Sequence, residues 1–198
     1  MPSYLNLTRI LIILNVVFYG VEWAIPELTI GNFALWPLNS AAAGNPPFEV
    51  WQLITYAFLH DPDHLTHILL NMWALFIFGQ DVERVLGIKR YAGLYFTSVL
   101  TAGLTQLAFS YFAALPPSYT VGASGAVFGV LLAFAVFFPK RIIVLIIPPI
   151  PLPARIFVVL YAALELYLGV TGTQEGVAHF AHLGGLVGAL FFLRLRRQ

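Results

Sequence analysis

VGASGAVFGVLLAFAVFFPK, residues 121–140, opens on the polar Gly122-Ala123-Ser124-Gly125, runs apolar to Phe138 and closes on Pro139-Lys140. A helix over 124–138 is about 22 Å long at about 1.5 Å per residue, short of a hydrocarbon core of about 30 Å. If the chain lives in a bilayer, the Ser124 end of this helix must lie below the surface. Composition says that it does. The 198 residues are 60% apolar and 10% charged, where soluble domains run at about 45–50% apolar and about 25% charged. The 16 Gly outnumber the 9 Tyr, so counting Gly in place of Tyr only widens the gap.

Working outward, six apolar segments predict an all-α membrane protein, a six-transmembrane-helix bundle making one membrane domain over residues 1–198. The spans fall at about 10–25, 62–79, 91–115, 124–138, 154–170 and 177–193. The first lacks a small-residue cleavage site and reads as a retained span. The second is expected to open at Asp61-Pro62-Asp63, an Asp cap with Pro at the first helical position. Between the first two spans, Pro26 to Leu59 holds Trp36, Pro37, Pro46, Pro47, Phe48 and Trp51 and is too proline-broken to cross. Ile142 to Pro153, with four prolines, is placed at the interface.

Lys and Arg stand at 9, 84, 89, 90, 140, 141, 155, 194, 196 and 197. With six spans all fall on one side, so both termini are expected in the cytoplasm. The opposite loops carry Glu27, Glu49, Asp61, Asp63 and Glu175 and no basic residue. A net charge of +1 without a long basic run argues against nucleic acid as a partner. The absence of Cys excludes disulfides, thiolate catalysis and Cys-based metal sites.

Polar groups inside spans are costly and therefore candidates for function. Three clusters stand out: His64, His67 and Asn71 on the second helix; Gly122-Ala123-Ser124-Gly125 opening the fourth; and His179 and His182 on the sixth, beside Gly184, Gly185 and Gly188. Helices two, four and six run in the same direction, so His67, Ser124 and His182 share one depth. Gly125 and Gly129, facing Ala178, His182, Gly185 and Ala189, let the backbones approach. A Ser hydroxyl needs a base to become a nucleophile, and a poorly solvated His is neutral and able to act as one. Ser124 with His182 reads as a dyad. Glu165 is expected more than a turn too far toward the other side, or on another face, to complete a triad. The Ser124 amide, the Asn71 side chain and the His67 ring N–H are suitable oxyanion donors.

HLTHILLNMWALFIFG (64–79), QDVERVLG (80–87) with Glu83 and Gly87, VGASGAVFG (121–129) and AHFAHLGGLVGAL (178–190) together resemble the rhomboid family of intramembrane serine proteases. The likeness covers most of the chain. It implies Ser124 as nucleophile, His182 as general base and acid, and His67, Asn71 and Ser124 as oxyanion-stabilising residues, with Gly122, Gly125, Phe128 and Gly185 in support. It implies no metal and no cofactor. It further implies a membrane-embedded loop at Pro26 to Leu59, a gate and cap in helix five and the Thr171 to Gly176 loop, and transmembrane protein helices as substrates. The compact six-span layout is similar to the simple bacterial type, which implies a bacterial inner membrane. Two positions depart from the family's pattern. Gln52 follows Trp51 where many members have Arg, and Phe128 stands where others carry a Tyr stacked on the catalytic His.

Each residue also has a plainer reading. Ser124 serves as a small packing residue, His182 as an interhelical hydrogen-bonding group, Asn71 as backbone-capping glue, His64 and His179 as loop-facing or packing groups, and Glu83 as a structural hydrogen-bonding group. Two rival functions are a non-catalytic client-binding relative and a metal site drawn from His60, His64, His67, His179 and His182. Pro62 weakens the latter by placing His60 before the helix.

Overall fold

The computed structural model describes residues 6–113, 116–144, 149–172 and 177–195. The expected end of the third span at 114–115, most of the expected cap loop at 173–176, and the charges Glu175, Arg196 and Arg197 lie outside the described residues. In chain order the described helices are α1 (Leu7–Ala24), α2 (Pro26–Phe33), α3 (Gln52–Thr55), α4 (Leu65–Ala74), α5 (Gln80–Leu86), α6 (Ile88–Phe112), α7 (Ser124–Phe137), α8 (Ala154–Thr171) and α9 (His179–Leu195), with short 3₁₀ turns at Ala41–Ala43 and Tyr56–Phe58. A π-helical stretch, Leu75–Gly79, joins α4 to α5, so Leu65–Leu86 is one rod of 22 residues. This rod, α1, α6 and α8 are each long and apolar enough to cross a membrane, whereas α7 and α9 are shorter.

The bundle is built for lipid. Val16 and Val17 on α1, Leu69 and Leu70 on α4, and Val159 and Leu160 on α8 point outward, which only an apolar solvent tolerates over so large an area. In contrast, α7 is buried around its whole circumference from Gly125 to Leu131, as befits a helix apolar on every side. It packs on α6 and α9, and those two pack most extensively on each other. A Cβ on Gly185 of α9 would fall on the Gly125 carbonyl of α7. The two backbones touch there.

Several expected boundaries shift, each for a local reason. Asp61 does not cap the second helix. Its carboxylate accepts from the Asp63 amide at 2.9 Å and pairs with His64 Nδ1 at 2.7 Å, a turn of the Asx kind, and α4 begins at Leu65. Nor does that helix stop at Gly79. It continues through the π-helical stretch to Leu86 and ends at Gly87, whose φ of 73° only glycine adopts freely. The third helix consequently begins at Ile88. Of the proline-rich stretch after α7, the described residues include two short antiparallel strands, β1 (Ile142–Val144) and β2 (Pro151–Pro153), pairing Ile143 with Leu152. They make a small strand pair within an otherwise helical fold.

The segment between α1 and α4 holds its own backbone together with side chains, as non-helical chain in an apolar setting must. Where a neutral amide replaces the family's Arg, the buried Gln52 accepts from the Trp36 amide at 3.2 Å and donates to the Pro47 and Asn32 carbonyls at 3.3 and 3.4 Å. Thr55 Oγ1 donates to the Phe33 carbonyl at 2.7 Å, and Ser40 Oγ to that of Pro46 at 2.6 Å. Leu35 and Thr120 exchange backbone hydrogen bonds of 3.0 and 2.9 Å, and the Gly122 amide donates to the Tyr56 carbonyl at 3.0 Å. These bonds tie Thr120 and Gly122 to the segment, and the chain is buried by Gly122 and Ala123, just before α7 starts. At the other end, Glu83 accepts from the Leu7 and Thr8 amides and from Thr8 Oγ1 at 2.7, 2.9 and 2.7 Å. It caps the first turn of α1, the structural role expected of it.

Gly185→Ala should force α7 and α9 apart at a cost of about 1–3 kcal/mol, whereas Gly20→Ala, with nothing within 4 Å of the added carbon, should cost nothing. Thermal midpoints of the two variants in detergent test this. Equal midpoints would mean that the backbones are not in contact.

Candidate active site

Ser124 is the first residue of α7, preceded by Gly122 and Ala123 in a bend that only glycine can open. Gly122 has φ of 126°, and a Cβ there would lie 2.8 Å from His67 Nε2. Backbone conformation and the neighbouring ring both exclude a side chain at that point. From the facing helix α9, His182 Nε2 lies 2.8 Å from Ser124 Oγ. The pairing expected from depth and direction is therefore a hydrogen bond. Phe128, one turn after Ser124, stacks on the His182 ring with centroids 4.4 Å apart and planes 8° from parallel. The missing Tyr hydroxyl leaves this stacking intact.

His67 and Asn71 sit on α4 across from Ser124. The Asp61 amide approaches His67 Nδ1 at 3.4 Å. With Nδ1 as the acceptor, the proton of a neutral ring resides on Nε2, the nitrogen that borders Gly122. Asn71 Nδ2 donates one hydrogen to the His67 carbonyl at 2.9 Å, leaving its second N–H for another acceptor. The Ser124 amide opens a helix, where the first N–H groups have no intrahelical partner.

The structure corrects the expectation for Glu165. Its Oε2 lies 2.8 Å from His182 Nδ1 and 2.6 Å from His179 Nδ1, and Glu165 and His179 are both buried. Counting residues inward from helix ends presumes that the ends are level and that the helices are vertical. Gly169 defeats that presumption, because a Cβ there would sit 3.0 Å from Phe180 and 3.1 Å from His179. Its bare backbone lets α8 lean onto the start of α9. The signal that would have found Glu165 is its solitude: it is the only acid in α8, and ionisable residues in spans face partners. His179, expected to be a packing group, is drawn in by the same carboxylate.

A rhomboid-domain family model matches residues 47–198 of the sequence. The chain belongs to the rhomboid family. Rhomboid protein 1, mitochondrial, of Saccharomyces cerevisiae is 30% identical over 87% of this chain and 52% of its own length. Rhomboid protease AarA of Providencia stuartii is 30% identical over 94% of this chain and 70% of its own. Rhomboid protease GluP of Bacillus subtilis is 28% identical over 72% and 25%. The chain thus spans about half the length of the yeast relative and a quarter of the B. subtilis one.

The remaining histidines of this rhomboid chain do not converge on a metal. His64 is exposed and turned to Asp61, a pairing that holds its ring above the ordinary imidazole range. His60 and His67 meet edge to face at 5.1 Å. Among the described residues the donor atoms that gather are those of Glu165, His179 and His182, within 4.8 Å of one another. There the carboxylate oxygen stands 2.6 and 2.8 Å from the two ring nitrogens, closer than the roughly 3.3 Å between ligands of a tetrahedral zinc with bonds near 2.0 Å. These are hydrogen-bond distances.

His60 is fully buried before α4, its amide donating to Glu22 Oε2 at 2.7 Å. Burial, with His67 adding to it, pushes its imidazole down to about 3, whereas an unfolded His titrates near about 6.5. The stability tied to its neutral form is complete above about pH 6.5 and is lost as pH falls from there toward 3. The thermal midpoint in detergent should fall across that window, and less steeply in His60→Phe. Parallel curves for the two proteins would contradict this assignment.

Proposed function

We propose that this chain is an intramembrane serine endopeptidase that cleaves transmembrane protein substrates, with Ser124 as nucleophile and His182 as general base and acid. The observation that carries the reading is the hydrogen bond of 2.8 Å between Ser124 Oγ and His182 Nε2, which places a hydroxyl against a base within a span, where polar groups are candidates for function. Membership of a family whose relatives are named as proteases supports it. So does the approach of α7 to α9, which holds the pair together.

In the proposed reaction Ser124 Oγ attacks the carbonyl carbon of the scissile peptide as its proton passes to His182 Nε2. The oxyanion that forms takes hydrogen bonds from the Ser124 amide, His67 Nε2–H and the spare Asn71 N–H. His182 then gives its proton to the leaving amine, and the acyl group remains on Ser124. A water molecule, giving a proton to His182 Nε2, attacks the ester carbon. Collapse of the second tetrahedral intermediate frees the carboxylate product, and the proton returns to Ser124. Every proton is accounted for between Ser124, His182, water and the amine. The reaction calls on no cofactor.

The same proposal sets the chain in the bilayer as one six-span membrane domain. α7 and α9 cross together with the four longer helices, the basic clusters and both termini face the cytoplasm, and the membrane is a bacterial inner membrane. The site then opens to the outer side. Its substrates are protein helices met within the lipid.

Purified protein in liposomes should cleave a model transmembrane substrate, and Ser124→Ala should abolish cleavage while folding normally. Undiminished cleavage by that variant would overturn the assignment. A folded wild-type protein that binds the substrate without cutting it would instead favour a client-binding role. Asn71→Ala should retain activity reduced by about 10²–10³ in kcat, the usual loss for one oxyanion donor; an unchanged kcat would remove Asn71 from the oxyanion site.

A further inference from the structure

A single carboxylate oxygen in the bundle serves two imidazoles. Glu165 Oε2 stands 2.6 Å from His179 Nδ1 and 2.8 Å from His182 Nδ1, and the side chains of Glu165 and His179 are each only 5% exposed. We propose that Glu165 is a positioning residue for His182, fixing its tautomer and orientation, and that His179 holds Glu165 in place for that task. The proposal rests on the reading of Ser124 and His182 as nucleophile and base.

An ionised carboxylate accepts hydrogen bonds and cannot donate them. Both Nδ1 atoms must then carry protons, and the neutral His182 ring keeps Nε2 free to accept the Ser124 hydroxyl. The Phe128 stack cannot supply this choice. It fixes the plane of the ring, but a half-turn of the imidazole leaves the plane unchanged and exchanges Nδ1 for a carbon. Ser124 at Nε2 favours the same pose but can donate or accept, so it does not set the tautomer; the acceptor at Nδ1 does, and Glu165 is that acceptor. Its charge also favours the imidazolium that forms when the Ser124 proton arrives. No proton passes to Glu165.

Glu165 lies on the face of α8 that Tyr161, Ala162 and Gly169 turn to the bundle, so helix packing carries it inward. A carboxylate on that face must find partners, and the two imidazoles are the ones it meets. His179 makes no hydrogen bond with Ser124 among the described residues, yet its Nδ1 meets the same carboxylate oxygen. That second bond keeps the long Glu side chain from swinging aside.

The test uses the full chain in liposomes and a model transmembrane substrate. The titratable groups around His182 are Ser124 on α7, Glu165 and Tyr161 on α8, His179 on α9 and His67 on α4. The acid limb of kcat is the protonation of His182, and of these neighbours Glu165, in direct contact with its Nδ1, should shift it most. Glu165→Gln preserves the shape, and it should lower kcat at least about tenfold with KM changed less than about twofold, as loss of an orienting carboxylate does elsewhere. The acid limb should move to lower pH, because His182 loses the charge that favours its protonated form. His179→Phe should act in the same direction more weakly. Independently, ¹⁵N spectra of histidine-labelled wild-type protein, with His182 assigned by its loss in His182→Ala, should show a neutral His182 protonated at Nδ1. Wild-type kcat and acid limb in Glu165→Gln, or a neutral His182 protonated at Nε2, would overturn the proposal. If the folded wild-type protein cleaves nothing, the protease reading fails by itself, and the spectrum still decides the tautomer. The spectrum equally decides it if Glu165→Gln does not fold.

Discussion

Everything at the site depends on two glycine backbones in contact. Gly185 of α9 meets the Gly125 carbonyl of α7, and with no side chain between them the helices come close enough for a short Ser side chain to touch a His on the neighbouring rod. The contact falls one residue after Ser124 and three after His182, so the closest approach of the backbones and the hydrogen bond are the same structural event. In lipid, helices are held by such close packing rather than by expulsion of water, and the small residues that allow it are therefore as much a part of the site as the polar groups they bring together.

The same bundle solves a second problem, how to keep a polar cluster inside an apolar solvent. The side chains around Ser124 are chained to one another: Ser124 meets His182, His182 meets Glu165, Glu165 also meets His179, and Asn71 bonds the backbone of His67. Each such bond offsets part of the cost of a polar group in apolar surroundings, and the buried His179 Nε2 is left without a partner among the described residues. The segment between α1 and α4 follows the same logic with Gln52, Thr55 and Ser40, and its pairing with Thr120 and Gly122 delivers the Ser124 end of α7 to the interior. A neutral amide at position 52 satisfies the loop's own donors and acceptors, so no ion pair is needed there.

Much of this was legible in the residues themselves. Gly122-Ala123-Ser124-Gly125 announces a helix start that carries a hydroxyl, and the glycines around His182 announce a close partner, because each expresses a local requirement that a sequence can state. The apolar runs fall on α1, the α4–α5 rod, α6, α7, α8 and α9, of which four are long and apolar enough to cross a membrane. Glu165 was not legible, because its reach depends on the lean of α8, which Gly169 permits and no periodicity reports. The start of α4 was misplaced since Asp61 has two local uses, cap and turn, and the turn won through His64 and the Asp63 amide. The π-helical run Leu75–Gly79 and the strand pair around Ile143 and Leu152 are likewise set by packing and pairing partners remote in sequence.

The central claim is that Ser124 is made nucleophilic by His182. Treatment of the folded protein with a fluorophosphonate, followed by intact mass and peptide mapping, tests it without any substrate. A single adduct on Ser124, formed at a rate that collapses in His182→Ala, is the result this account predicts. An adduct on another residue, or one that forms on Ser124 as fast without the imidazole, would contradict it.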